Sequence, residues 1–69
     1  MNNITDHAHL VSRSKDTTTY QHASTLQLFQ TVEQSSGNGL MLLIFNHGVW
    51  QSEGIFTLDQ IVHQVANPD

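Results

Sequence analysis

The chain contains no cysteine. That one absence excludes disulfide staples, thiolate metal sites and a cysteine nucleophile, and it suits a cytoplasmic setting. Positive charge is nearly as scarce, because Arg13 and Lys15 are the only cations and both precede Thr17. From Thr17 onward the charged residues are Glu33, Glu53, Asp59 and Asp69, so that part of the chain carries the whole net charge of -4. Nucleic-acid binding depends on Lys and Arg neutralising phosphates, and a clamp on a nucleotide phosphate uses the same groups. The expectation is therefore no nucleic-acid partner. Four acids are also too sparse to imitate the phosphate ladder of DNA.

Long apolar runs are missing as well. The longest, Leu40 to Phe45, is far short of the roughly 20 residues a membrane helix needs, so no membrane partner is expected. The segment Met1 to His7 has neither the basic start nor the apolar core of a secretory signal. Catalytic patterns are absent too. Gln51-Ser52-Glu53-Gly54 lacks the glycine that a strained serine elbow requires two residues before the nucleophile. No phosphate-loop pattern surrounds Gly37, Gly39, Gly48 or Gly54, and no two carboxylates stand at a telling interval. No catalytic residue is assigned, and no enzyme activity is expected.

What remains is a chain of 69 residues, rich in Asn, Gln, Ser and Thr, which together make 25 of them. This is one domain at most. A chain so short buries only roughly 60% of its unfolded surface, and small domains are usually reinforced by disulfides, a metal or a second subunit.

The chain is organised around Gly39 to Trp50, where apolar side chains run without interruption between turn residues. Ser35-Ser36-Gly37-Asn38-Gly39 is turn chemistry on one side, and His47-Gly48 supplies the positive φ values of a tight hairpin on the other. Leu40, Leu42 and Ile44 share one face of the strand so defined, and Met41, Leu43 and Phe45 share the other. Both faces are apolar, so both should be covered.

Around this hairpin, at about 40–52, the sequence reads as a small α+β domain packed by two helices. Ser24 and Gln27 form a capping-box pattern, followed by Leu28, Phe29 and Val32, which predicts a helix over 24–35. Thr57 and Gln60 repeat the capping pattern. Leu58, Ile61, Val62, Val65 and Ala66 then fall at the spacing of an amphipathic helix over 58–66, stopped by Asn67-Pro68. After the hairpin, Glu53-Gly54 is expected to bend the chain and to turn both Ile55 and Phe56 into the core. Residues 1–21 read as an ill-defined arm with a short strand or helix near His9 to Ser12, and Ser14 to Thr19 as loop. Residues 22–69 form the compact α-β-β-α part.

Two strands alone are marginal in water. An added N-terminal strand, edge pairing of two copies into a larger sheet, or a second copy over the Met41 face would complete the structure. Histidine is the one functional residue type in supply: His7, His9, His22, His47 and His63. His7-Ala8-His9 on a strand would aim two imidazoles the same way, but spacing supplies no third ligand, and solvated or turn positions are the expectation. No metal or cofactor is assigned. Trp50, Met41, Leu43 and Phe45 are the candidate partner-binding residues, being of the types enriched where proteins touch or standing beside them on one face. The sequence thus points to an acidic, non-catalytic interaction module that regulates or inhibits a protein partner and forms a homodimer. A histidine-based ligand-binding protein and a purely structural homo-oligomeric subunit are the alternatives.

Overall fold

The computed structural model describes residues 3–67; Met1, Asn2, Pro68 and Asp69, and with them the proline helix stop, lie outside the described residues. The fold is a five-stranded antiparallel sheet in sequential order, with one helix laid on one face. A short 3-10 helix, Ile4–Asp6, leads into β1 (Ala8–Ser14), β2 (Thr17–His22), β3 (Leu28–Glu33), β4 (Leu40–Asn46), β5 (Val49–Phe56) and α1 (Leu58–Ala66). Each strand pairs with the next, so the sheet is a meander with β1 and β5 at its edges.

The expected architecture of a hairpin between two helices is therefore corrected. The hairpin is present, with Phe45 opposite Trp50 and Asn46 opposite Val49. Its turn residues His47 and Gly48 both take positive φ, 52° and 82°, the combination a two-residue hairpin loop demands. The helix expected over 24–35 does not form. Leu26 instead adopts a left-handed φ of 64°, its amide donates to the His22 carbonyl, and the His22 amide donates to the Gln27 carbonyl. These bonds fold Ala23 to Gln27 into a tight loop and launch β3. Aromatic and β-branched residues at Phe29, Thr31 and Val32 favour that pleated surface.

Residues 8–22 supply two strands of the same sheet. The loop between them is Lys15-Asp16, closed by the Ser14–Thr17 pair, with Lys15 at φ 51°. Thr17 to Thr19 are strand rather than loop. Glu53 and Gly54 do not end β5: the register shifts between Leu42 and Leu43, a bulge that keeps the strand running to Phe56. Because of that bulge Phe56 packs on the core while Ile55 turns to the opposite face and stays 54% exposed, which corrects the expectation for Ile55.

The helix over 58–66 forms as its periodicity requires. Thr57 Oγ1 accepts from the Gln60 amide at 3.2 Å and Gln60 Oε1 accepts from the Thr57 amide at 2.9 Å, which satisfies donors the first turn would leave unpaired. Ile61, Val62 and Val65 point inward and join Ile4, Ala8, Phe29 and Leu42 in the core. Tyr20, Leu40, Ile44 and Phe56 pack around its margin. The core is thus one layer thick.

Candidate functional site

Directly paired residues of an antiparallel sheet share a face, so the register sorts the side chains. Leu42 pairs with Thr31, and Thr31 with Thr18, on the face that α1 covers. The opposite face is built of three rows running across the strands. In the first, Trp50 pairs with Phe45, and further along lie Leu28, Gln21 and His9. In the second, Ser52, Leu43, Gln30, Thr19 and Ser12 follow one another. In the third they are Ile55, Met41, Val32, Thr17 and Ser14.

All four candidate partner-binding residues, Trp50, Met41, Leu43 and Phe45, stand together in these rows. The Phe45 and Trp50 rings meet at 5.1 Å between centroids in a tilted arrangement, a favourable aromatic geometry. Trp50 remains 37% exposed, while Met41, Leu43 and Phe45 are half-buried by their neighbours on the sheet. No element among the described residues lies over this face. The expectation that both faces of β4 are covered thus holds on the Leu42 side alone. The physical cause is the supply of elements: with 28–33 a strand, one α-helix among the described residues is left to cover two faces.

Each row changes character across the sheet. Its β3–β5 end is mostly aliphatic or aromatic, and its β1–β2 end carries hydroxyl, amide or imidazole groups. Gln30 Nε2 donates to Thr19 Oγ1 at 3.1 Å where the two halves meet. No residue paired in the three rows is Asp, Glu, Lys or Arg. Among the described residues the charges sit elsewhere: Asp6 in the 3-10 helix, Lys15 and Asp16 in a turn, Arg13 and Glu33 paired with residues of the other face, Glu53 in the bulge, and Asp59 on α1.

The histidines divide differently from expectation. His7 closes the 3-10 helix rather than joining a strand, His9 is exposed on β1, His47 is in the hairpin turn and His63 is exposed on α1. Among the described residues no group of three His, Asp or Glu is placed to hold a metal. His22 departs furthest from a solvated position, because it is buried. Its Nε2 donates to the Val65 carbonyl at 2.7 Å. A carbonyl only accepts, so the proton is on Nε2 and Nδ1 is an acceptor. Nδ1 takes the Ser24 and Thr25 amides at 3.1 and 3.2 Å, and the Ser24 hydroxyl at 3.1 Å. His22 therefore satisfies a carbonyl in the last turn of α1, where helices leave such groups unpaired, and ties that turn to the β2–β3 loop. No spacing rule in the sequence marks this role, since Val65 is 43 residues away.

Beside it, a cavity of about 290 Å³ opens between α1 and β3–β4, with Phe29, Leu42 and Ile44 among its walls. That is at the lower limit of ligand-sized pockets, about 300–1,000 Å³. Of its polar margin, His22 is engaged in the fold as described, and Gln27 Nε2 in donating to the Leu28 and Phe45 carbonyls. The bare sheet face is the better-developed candidate site. No helix among the described residues is long and apolar enough to cross a membrane. Comparison of the chain with protein-family models, curated proteins and solved structures finds no match.

Proposed function

We propose that this protein is a non-catalytic interaction module that works through the bare face of its sheet, regulating or inhibiting a protein partner. One observation carries the reading. A chain of net charge -4 keeps Asp, Glu, Lys and Arg out of the three paired rows of one sheet face and gives the β3–β5 half large apolar side chains at all positions but Ser52 and Gln30. Exposed Trp50 and Ile55 stand there beside half-buried Met41, Leu43 and Phe45, with a polar margin, the composition of a surface that meets another protein. Leu10, Val11, Leu26, Val49 and Leu58 are exposed outside these rows. Trp50 and Phe45 are its anchors, since aromatic side chains dominate the energetics of such contacts, and the hydroxyl-rich β1–β2 half is its rim. Absent cysteine suits work in the cytoplasm.

The test is affinity capture from the source cell with the wild-type chain and with Trp50→Ala, followed by identification of bound proteins. A distinct protein retained by the wild type and lost by Trp50→Ala supports the regulatory role. Recovery of the chain alone removes it and leaves a self-associating structural subunit.

A further inference from the structure

We infer that the occupant of the bare face is a second copy of this chain, packed sheet against sheet about a two-fold axis near Leu43, with the sheet edges left unpaired. The inference rests only on the bare face being an interaction surface, and takes a second copy rather than a distinct protein as its occupant.

Electrostatics favour this arrangement first. Two copies each carrying -4 repel wherever their acids approach. The paired rows of the bare face carry no Asp, Glu, Lys or Arg, and the fixed charge next to them on β5 is Glu53, in the bulge of that edge strand. A like-charged copy can therefore pair these rows without placing a carboxylate among them. A two-fold contact is self-complementary by construction. With the axis near Leu43, the apolar halves meet and the Ser and Thr halves fall at the rim, the usual anatomy of an interface.

Area agrees. Four inter-strand spacings of about 4.8 Å and seven residues at about 3.3 Å give a face of roughly 19 by 23 Å. That is about 440 Å² in projection. Raised by the relief of the side chains it falls toward the small end of specific interfaces, below the ~800 Å² each partner gives to a standard one, and suits a weak dimer. The chain also exposes 4755 Å², more than the roughly 4,300 Å² expected of a compact monomer of its 7.7 kDa.

The edges argue against the alternative of strand-to-strand pairing. β1 shifts register between Leu10 and Ser12, and β5 bulges opposite Leu42 and Leu43. Arg13 stands on the first edge and Glu53 on the second. Bulges and charges are the devices by which sheet edges are closed to a further strand. The bare face has no such device.

Sedimentation of the whole chain over a range of concentrations tests the inference. The expected mass is twice 7.7 kDa at roughly 100 µM, a micromolar association. Leu43→Lys, which aims an ammonium into the centre of the contact, should raise the dissociation constant at least ~100-fold while far-UV circular dichroism stays that of the folded chain. A wild type that is monomeric at about 1 mM, or a folded Leu43→Lys that remains dimeric, overturns the inference.

Should Leu43→Lys fail to fold, the wild type alone still decides. Trp50 emission should shift to the blue and its acrylamide quenching fall as the dimer forms, with the outward backbone amides of β5 still exchanging. Unchanged quenching, or new protection of those amides, means that the copies meet elsewhere or by their edges. A monomeric chain that still captures a distinct protein through Trp50 removes the second copy and keeps the interaction module. A dimer that captures nothing else does the reverse.

Discussion

Leu42 and Leu43 are adjacent, identical in chemistry and opposite in fate. Leu42 is 4% exposed beneath α1, whereas Leu43 lies among half-buried neighbours on a face that no element among the described residues covers. The same contrast holds for the two aromatic pairs. Tyr20 and Phe29 stack across β2 and β3 at 5.2 Å, Phe29 in the core and Tyr20 at its margin, while Phe45 and Trp50 meet at 5.1 Å on the bare side. Covered apolar residues hold the fold together. Bare ones are available for association. A strand that is apolar on both sides therefore presents one covered row and one bare row, and stability measurements on the isolated chain should separate them.

The largest effect is expected on the covered side. Leu42→Ala should cost about 3 kcal/mol, in the range of core leucine truncations, read as a lower midpoint in urea unfolding. The sharpest control is Leu43→Ala, for which a monomeric sample should lose no more than about 1 kcal/mol, since far less area leaves water there. Equal losses at the two positions would erase the distinction between the faces.

His22→Ala removes the donor to the Val65 carbonyl and the acceptor of two amides at once. Buried polar groups left unpaired are costly, so about 2 kcal/mol should be lost. Hydrogen exchange should rise first in the last turn of α1 and in the Ala23–Gln27 loop. A uniform rise across the sheet instead would show that His22 does not tie the helix to it.

Gly39 tests how the covered side is closed at its end. At φ 130° an added Cβ would sit 2.8 Å from the Phe56 carbonyl oxygen, so Gly39→Ala should cost about 1–2 kcal/mol through strain and displacement of β5. Thr57→Ala, which removes only the α1 cap, should cost about 1 kcal/mol and leave self-association untouched. Thermal unfolding of the monomer checks both.

The sheet was harder to read from sequence than the helix. At β3, apolar residues are adjacent at Leu28 and Phe29 because each serves a different apolar face. That abolishes the alternation by which a strand is recognised and leaves a spacing that a helix also satisfies. Thr31 and Val32, both β-branched, were the available sign of a strand. β1 and β2 were obscured in another way, because a hydroxyl-rich strand needs few hydrophobic anchors when one of its faces is a polar rim. The two-residue Lys15-Asp16 turn between Ser14 and Thr17 was the overlooked hairpin signal. Of the candidate site, the grouping of Met41, Leu43 and Phe45 followed from alternation alone, whereas Trp50 is marked by its residue type, and the hairpin register at His47-Gly48 is what sets it opposite Phe45.

Sequence by itself determined α1, its cap, the β4–β5 turn and the two-sided apolar character of β4, because each is written in residues within a turn or two of one another. Tertiary structure alone decided that 28–33 is a strand, that residues 8–22 join the sheet, that His22 is spent on the end of α1, and which side of β4 the helix covers. Those outcomes depend on pairing and packing between residues far apart in the chain. A short stretch of apolar residues states that it must be buried, but not against what.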